Sequence, residues 1–324
     1  MTEFDLIKRF FHHRSGVPSV VLGVGDDCAL LQPPEGEQLA ISIDTLVAGV
    51  HFPADAEPAL IGERALRVAL SDLSAMGAKP LWFTLALTLP EADENWLQAF
   101  SSGLMNAAGV YGCSLVGGDT TRGPLTISIQ VHGSVSAGRA LRRDGAGLDD
   151  LIYVTGDLGD GAAALAVIKN ELTVGKAAHA YLMDRFYRPR PHIRTGELLA
   201  GVASAAIDIS DGFLADLEHI CQASNLGAVI DIGRLPVSEV VMAKATPAQR
   251  EAWALGGGDD YQLCFTVPRK KAGLVETWIE NKSLNATLVG KIVEHAGVQC
   301  FKEGRVYPAA TSAVARGYQH FGSH

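Results

Sequence analysis

Ala205-Ala206-Ile207-Asp208-Ile209-Ser210-Asp211-Gly212-Phe213 is the stretch that decides the fold class. A short apolar run ends in an acid–serine–acid–glycine turn, and residues 213–224 then carry helical periodicity. A strand feeding a helix through a tight turn is a basic unit of layered α/β structure. Working outward, Leu151 to Thr155 reads as another such strand. It enters Gly156-Asp157-Leu158-Gly159-Asp160-Gly161, which lacks dinucleotide spacing and reads as a tight strand-to-helix turn, and a helical run to Lys169. Further strands are expected at about 227–232, 260–267 and 287–293, and a Pro/Arg joint, Arg188-Pro189-Arg190-Pro191, precedes another helix. Upstream the alternation continues. Phe4, Ile7, Phe10 and Phe11 fit one face of a helix ending at Ser15-Gly16. Apolar runs at 19–24 and 28–31 flank a Gly25-Asp26-Asp27 turn, and Gln38 to Ile43 is a strand running into Asp44. Residues 58–77 and 94–110 are helical, and Pro80 to Leu89 is β-rich. Cys113 to Val116 is a short strand ending in Gly117-Gly118-Asp119, and 124–135 alternate as a long strand. The basic, glycine-rich segment 138–147 marks a boundary. The expectation is two domains, 1–137 and 138–324, both of mixed α/β layers.

Composition narrows the partners. The 324 residues are 48% hydrophobic, enough for real cores. Lys plus Arg is 27 against 36 for Asp plus Glu, a formal net charge of −9. Such a chain is a poor ligand for nucleic acid or anionic membranes. Cys28, Cys113, Cys221, Cys264 and Cys300 are odd in number and include no C-x-x-C. That spacing argues against a disulfide framework or thiolate zinc and predicts a reduced, cytoplasmic chain. The N-terminus lacks a signal-peptide pattern, and no apolar run is long enough to span a membrane.

Chemistry is concentrated in aspartates. Asp26, Asp27, Asp44, Asp119, Asp208 and Asp211 sit at strand ends or in adjacent Gly turns, and Asp72 lies on an apolar helix. One such residue is ordinarily a turn or an N-cap. Several together predict convergence at sheet edges, where cations must neutralise them. Hard oxygen donors without Cys point to Mg²⁺ held jointly with substrate phosphates. Gly117-Gly118-Asp119-Thr120-Thr121 reads either as a phosphate cradle or as a plain tight turn. Gly256-Gly257-Gly258-Asp259-Asp260-Tyr261 is a further glycine–acid turn. His51 reads as a structural histidine or a substrate contact. Arg142 and Arg143 at the boundary read as a solvated patch or as phosphate ligands. Neither a P-loop nor a protein-kinase signature is present.

Taken in order, the motifs resemble one family. They are Gly23-Val24-Gly25-Asp26-Asp27-Cys28-Ala29, Ser42-Ile43-Asp44-Thr45-Leu46-Val47 with His51-Phe52, and Leu70-Ser71-Asp72-Leu73-Ser74-Ala75-Met76-Gly77-Ala78. Val116-Gly117-Gly118-Asp119-Thr120-Thr121, Ile207 to Gly212, Gly257 to Tyr261, and Gly317-Tyr318 with His320-Phe321 complete the set. The chain resembles the thiamine-monophosphate kinases, within the superfamily that includes aminoimidazole ribonucleotide synthetase and selenophosphate synthetase.

The resemblance implies ATP-dependent phosphorylation of thiamine monophosphate, with several Mg²⁺ ions. It implies metal contacts from Asp27, Ser42, Ile43, Asp44, Asp72, Asp119, Asp208 and Asp211. ATP contacts would come from Gly118, Asp119, Arg143 and Ser210, and acceptor contacts from His51, Asp259 and Tyr318. It further implies a homodimer whose four-stranded N-terminal sheets close a barrel, with active sites in clefts formed by both domains and the neighbouring subunit. Three positions depart from the family. Ile43 replaces Thr or Ser and leaves only a backbone carbonyl for metal. Asp259 replaces Glu, and Gly161 replaces Ser.

No residue is expected to act as acid or base, because a phosphate acceptor is already ionised at neutral pH. Three alternatives remain at this stage: a metal-dependent phosphohydrolase, another ATP-dependent synthetase of the superfamily, and a non-catalytic nucleotide sensor.

Overall fold

The computed structural model describes residues 3–12, 17–307 and 317–318. The helix stop expected at Ser15-Gly16, the side chain of Phe4, and His13, His320, Phe321 and His324 lie outside the described residues. The chain divides into two compact units, Met1–Leu73 with Ala78–Arg139, and Ser74–Gly77 with Ala140–His324.

The first unit opens with α1 (Glu3–Phe10) and a small antiparallel pair, β1 (Val20–Leu22) and β2 (Leu30–Leu31), which flanks the Asp26-Asp27 turn. It continues through β3 (Glu37–Val47), α2 (Pro58–Ala75), β4 (Lys79–Leu89), α3 (Glu94–Tyr111), β5 (Ser114–Arg122) and β6 (Thr126–Ser136). The last turn of α2 counts with the second unit. β3 to β6 form a four-stranded sheet in the order β3-β6-β4-β5, antiparallel except for β4 with β5.

Strand alternation puts Ile127, Ile129 and Val131 of β6 in register with Phe83, Leu85 and Leu87 of β4, and all six are buried. α2 packs on this face, where Leu73 abuts Gly133. α3 leans on α2 almost backbone to backbone: a Cβ on Gly103 would stand 1.9 Å from the Ala59 carbonyl oxygen. Asp93 caps α3, accepting from the amides of Asn95 and Trp96. On the opposite face Leu39, Ile41 and Ile43 of the edge strand β3 are 46%, 55% and 60% exposed.

The second unit contains β7 (Leu151–Thr155), α4 (Asp160–Ile168), α5 (Lys176–Tyr187), α6 (Ile193–Leu199), β8 (Ala205–Ile209), α7 (Phe213–Ser224), β9 (Gly227–Asp231) and α8 (Glu239–Lys244). α9 (Pro247–Gly256), β10 (Gln262–Val267), α10 (Arg269–Glu280), β11 (Ala286–Val293), β12 (Gly297–Lys302) and β13 (Arg305–Tyr307) follow. The strands form one sheet, β13-β12-β9-β11-β7-β10-β8. β8 and β10 are buried along their whole length, because helices cover both faces. Ile207, Ile209 and Cys264 meet α7 and α9 on one side. Ala206, Leu263 and Phe265 meet α6 and α10 on the other.

Local expectations fail in two places. β3 does not end at Asp44, and β5 does not end at Gly117-Gly118-Asp119; both strands run on, to Val47 and Arg122. The reason at β5 is steric. A Cβ on Gly118 would lie 1.9 Å from the Leu85 carbonyl oxygen, so the glycine serves close approach of β4 rather than a turn. The β12–β13 hairpin has no counterpart in the sequence reading; β13 has only three residues at the sheet edge, and β12 beside it shows little alternation of burial. Among the described residues no helix is long and apolar enough to cross a membrane.

Candidate active site

The first unit places its site residues on three elements. Ser42 and Asp44 alternate with Ile43 along β3, so their side chains share the face covered by α2. There the Ser42 hydroxyl donates to Asp72 of α2. Both groups are half-buried, and the bond gives the Asp72 carboxylate a partner. Ile43 points to the opposite, exposed face. Asp27 is exposed in the β1–β2 turn, where its N–H donates to Asp26 Oδ1 at 2.8 Å.

His51 follows β3 in a tight turn. Its Nδ1 accepts from the Val47 N–H at 2.9 Å, so in the neutral ring the proton sits on Nε2. Gly118 and Asp119 are exposed on β5. The register sets Asp119 beside Ala86, Ser128 and Thr45, one step out of phase with Asp44. β3 and β5 are the two edges of the sheet, three strand spacings or about 14 Å apart. One copy of the sheet therefore does not bring Asp44 and Asp119 together.

The second unit stacks three segments at the end of β8. Ser210-Asp211-Gly212 leads into α7. Asp259 donates its N–H to the Ser210 carbonyl at 2.9 Å, and Tyr261 donates its own to Ile209 at 2.8 Å. The Tyr318 N–H reaches the Asp211 carbonyl at 3.1 Å. Asp208, Ser210, Asp211, Asp259 and Tyr318 are thus gathered in one place. Asp208 is 4% exposed, and Asp259 Oδ1 accepts from the Tyr261 hydroxyl at 2.9 Å. Arg143 is exposed beside the start of β8, where the Arg142 carbonyl accepts from Ala206, about 13 Å of strand from Ser210. Arg142 is engaged by Asp144, with Nε 2.8 Å from Oδ1.

Two carboxylates missed by sequence reasoning hold these segments. One oxygen of Asp216 accepts from the N–H groups of Ser210, Asp211 and Gly212, each at 3.1 Å. Burial pushes its pKa up to about 7, with the charges of Asp208 and Asp211 adding to the rise. The signal was present: an acid in the first turn of a helix that opens on glycine. Asp260 accepts from Gly159 at 2.6 Å and Gly161 at 3.0 Å, tying the β10 loop to the β7–α4 turn. Beneath it Asp160 accepts from the Tyr181 and Ser238 hydroxyls, each at 2.6 Å, and from Arg185 Nε at 3.1 Å. Only tertiary structure shows these partners, which lie far away in sequence.

The donor set suits magnesium. It consists of carboxylate and hydroxyl oxygens, and the buried Asp208 and half-buried Asp211 raise the pKa of a neighbouring carboxylate, a field that a cation relieves. Among the described residues no three His, Cys, Asp or Glu side chains form a ready metal cage. Magnesium does not require one, since one or two carboxylates with substrate phosphates suffice.

Residues 25–135 match the AIR synthase related protein N-terminal domain, and residues 148–302 match its C-terminal domain. Thiamine-monophosphate kinase of Salmonella typhimurium is 48% identical over 322 residues, 98% of each chain. The chain belongs to the thiamine-monophosphate kinase family. The Haemophilus influenzae member is 41% identical over 326 residues, 99% of this chain and 98% of its own. The crystal structure of thiamine-monophosphate kinase from Stenotrophomonas maltophilia K279a has a TM-score of 0.83 at 43% identity, over 90% of this chain and 93% of that one. AaThiL complexed with AMPPCP and TMP aligns at a TM-score of 0.78 and 31% identity, over 89% of each chain. The hydrogenase maturation protein HypE of E. coli shares the fold, at a TM-score of 0.74 and 22% identity over 94% of each chain.

Proposed function

We propose that this chain transfers the γ-phosphoryl group of ATP to thiamine monophosphate, giving thiamine diphosphate. The observation that carries this reading is 48% identity over 98% of the chain to relatives named for that activity. The relative complexed with AMPPCP and TMP supports the substrate pair.

Charge dominates the chemistry. The acceptor phosphate has a second pKa near 6 and is already nucleophilic at neutral pH, so no side chain needs to remove a proton. The barrier is repulsion between two polyanions, together with alignment of the attacking and leaving oxygens. Asp27, Ser42, the Ile43 carbonyl, Asp44, Asp72 and Asp119 in the first unit, with Asp208 and Asp211 in the second, are the proposed magnesium ligands. Magnesium, when bound there, supplies the positive charge that offsets the repulsion. Gly118, Asp119, Arg143 and Ser210 are assigned to ATP, while His51 Nε2–H, Asp259 and Tyr318 orient the acceptor. The first unit thus carries metal, nucleotide, acceptor and dimer residues, and the second carries metal, nucleotide and acceptor residues.

A homodimer fits the first unit. The row Leu39, Ile41 and Ile43 lies open to water on an edge strand. Pairing two sheets buries it. With an acidic chain and no membrane-spanning helix among the described residues, a cytoplasmic enzyme with small-molecule partners is the matching context.

ADP formation measured with thiamine monophosphate, with thiamine, and with no acceptor tests the assignment. Turnover only with the monophosphate is expected; phosphate release without any acceptor would establish a phosphohydrolase instead. Rapid-quench labelling with γ-labelled ATP should leave no label on the protein, and a labelled protein chased into product would overturn direct transfer.

A further inference from the structure

The loop bearing Asp259 is seated with no room to spare. A Cβ built on Gly161 would stand 2.5 Å from the Gly258 carbonyl oxygen and 2.7 Å from both the carbonyl carbon and oxygen of Asp259. Ordinary contact begins at 3.4 Å, so any side chain at 161 is short of space by about 0.9 Å (3.4 − 2.5). All the obstructing atoms are backbone, which cannot swing aside as a flexible side chain can. From the other side, a Cβ on Gly258 would lie 2.6 Å from the Ser210 carbonyl oxygen. The loop is therefore wedged between the β7–α4 turn and the turn that follows β8.

The loop and the turn that follows β8 are anchored differently. The Ser210–Gly212 turn is anchored independently by three N–H bonds to Asp216. The Asp259 loop is held by its backbone bonds to Ser210 and Ile209, the latter at its β10 end, and by Asp260 reaching Gly159 and Gly161. Asp259 and Tyr261 both have positive φ, +67° and +50°, and are linked side chain to side chain. The place of the Asp259 carboxylate thus follows the depth at which this loop sits on Gly161.

We propose that Gly161 is a positioning residue for the acceptor: its missing side chain sets the depth of the Gly256–Tyr261 loop and so matches the short reach of Asp259 to thiamine monophosphate. The inference rests on the assignment of Asp259 as an acceptor contact. A side chain at 161 displaces the loop while the Asp216-anchored turn stays, so acceptor and nucleotide binding respond differently. Glu at 259 is longer by one methylene, about 1.5 Å, which overshoots on the seated loop and recovers reach on a displaced one.

The test is steady-state kinetics with thiamine monophosphate and ATP on the full-length protein. Gly161→Ala is expected to raise KM for thiamine monophosphate at least about tenfold, within the roughly hundredfold that a misplacement near 1 Å can cost, while KM for ATP stays within about twofold. Asp259→Glu alone should also raise the acceptor KM several-fold. The double variant should recover at least half of the loss, a coupling that a merely structural role at 161 does not give. Equal increases in both KM values, or additive losses in the double variant, would overturn the proposal. Should Gly161→Ala fail to fold, Asp259→Glu decides alone: an unchanged acceptor KM refutes the matched depth. Asp259→Ala separates the two levels, since an unchanged acceptor KM in that variant removes the acceptor assignment itself.

Discussion

Replacing Asp260 by Asn removes a carboxylate that is buried against two backbone amides. Its pKa is pushed from 3.8 up to about 7, chiefly by burial; the Gly159 and Gly161 amides oppose the rise, Asp160 adds to it and Arg185 reduces it. The folded chain therefore holds a proton that the unfolded chain has released, over the interval from about pH 4 to pH 7. Stability from this group is present at the acid end of that window and is lost as pH rises to the folded value. Each pH unit is worth about 1.4 kcal/mol at full slope, and the slope falls off near the folded value, so wild type should lose about 2 kcal/mol between pH 5 and pH 7 through Asp260 alone. The Asn variant keeps the shape and one amide acceptor but has no proton to release, so this part of the slope disappears. Urea unfolding followed by fluorescence and circular dichroism at pH 5, 6, 7 and 8 measures the difference. Asp216 titrates in both proteins and cancels in the comparison. Identical pH slopes for wild type and Asp260→Asn would refute the reasoning, because the carboxylate would then be no more protonated in the folded chain than in the unfolded one.

Three other outcomes follow from the same geometry. Gly118→Ala drives a methyl group into the Leu85 carbonyl and should destabilise the β4–β5 pairing by about 3 kcal/mol, seen as a melting temperature lower by about 5–10 °C. Asp44→Asn and Asp119→Asn each remove one negative oxygen from a solvent-accessible position, so turnover in the ADP assay should fall at least about a hundredfold while the melting temperature moves by less than about 2 °C; parallel losses of both would mark the residues as structural. Ile43→Glu places a charge in the exposed apolar row of β3 and should shift the protein from dimer to monomer in sedimentation velocity, with loss of activity at low protein concentration.

Much of the architecture is legible along the chain. Alternation over 124–135 and helical periodicity over 58–77 and 94–110 report local burial, and the tertiary structure buries those same faces. The glycine–acid turns around Asp211 and Asp259 are likewise local chemistry, since a tight turn and a helix start demand those residue types. What misleads is the use of glycine. Gly117-Gly118 reads as a phosphate cradle or a tight turn closing a strand, yet Gly118 lies inside a strand because another backbone passes where its side chain would be. Gly161 reads as an incidental departure, yet it fixes the depth of a loop about a hundred residues away.

The sequence by itself determined that aspartates, glycines and strand–turn–helix units recur in the order of a phosphoryl-transfer family, because those patterns depend on neighbours within one turn or one strand. Only the tertiary structure decided which carboxylates stand together. The segments bearing Asp208, Asp211 and Asp259 come together where β8 and β10 pair, Asp216 and Asp260 hold those segments, and Asp44 and Asp119 fall on opposite edges of one sheet. Strand order and register couple residues far apart in the chain, and no local pattern of side chains encodes that coupling.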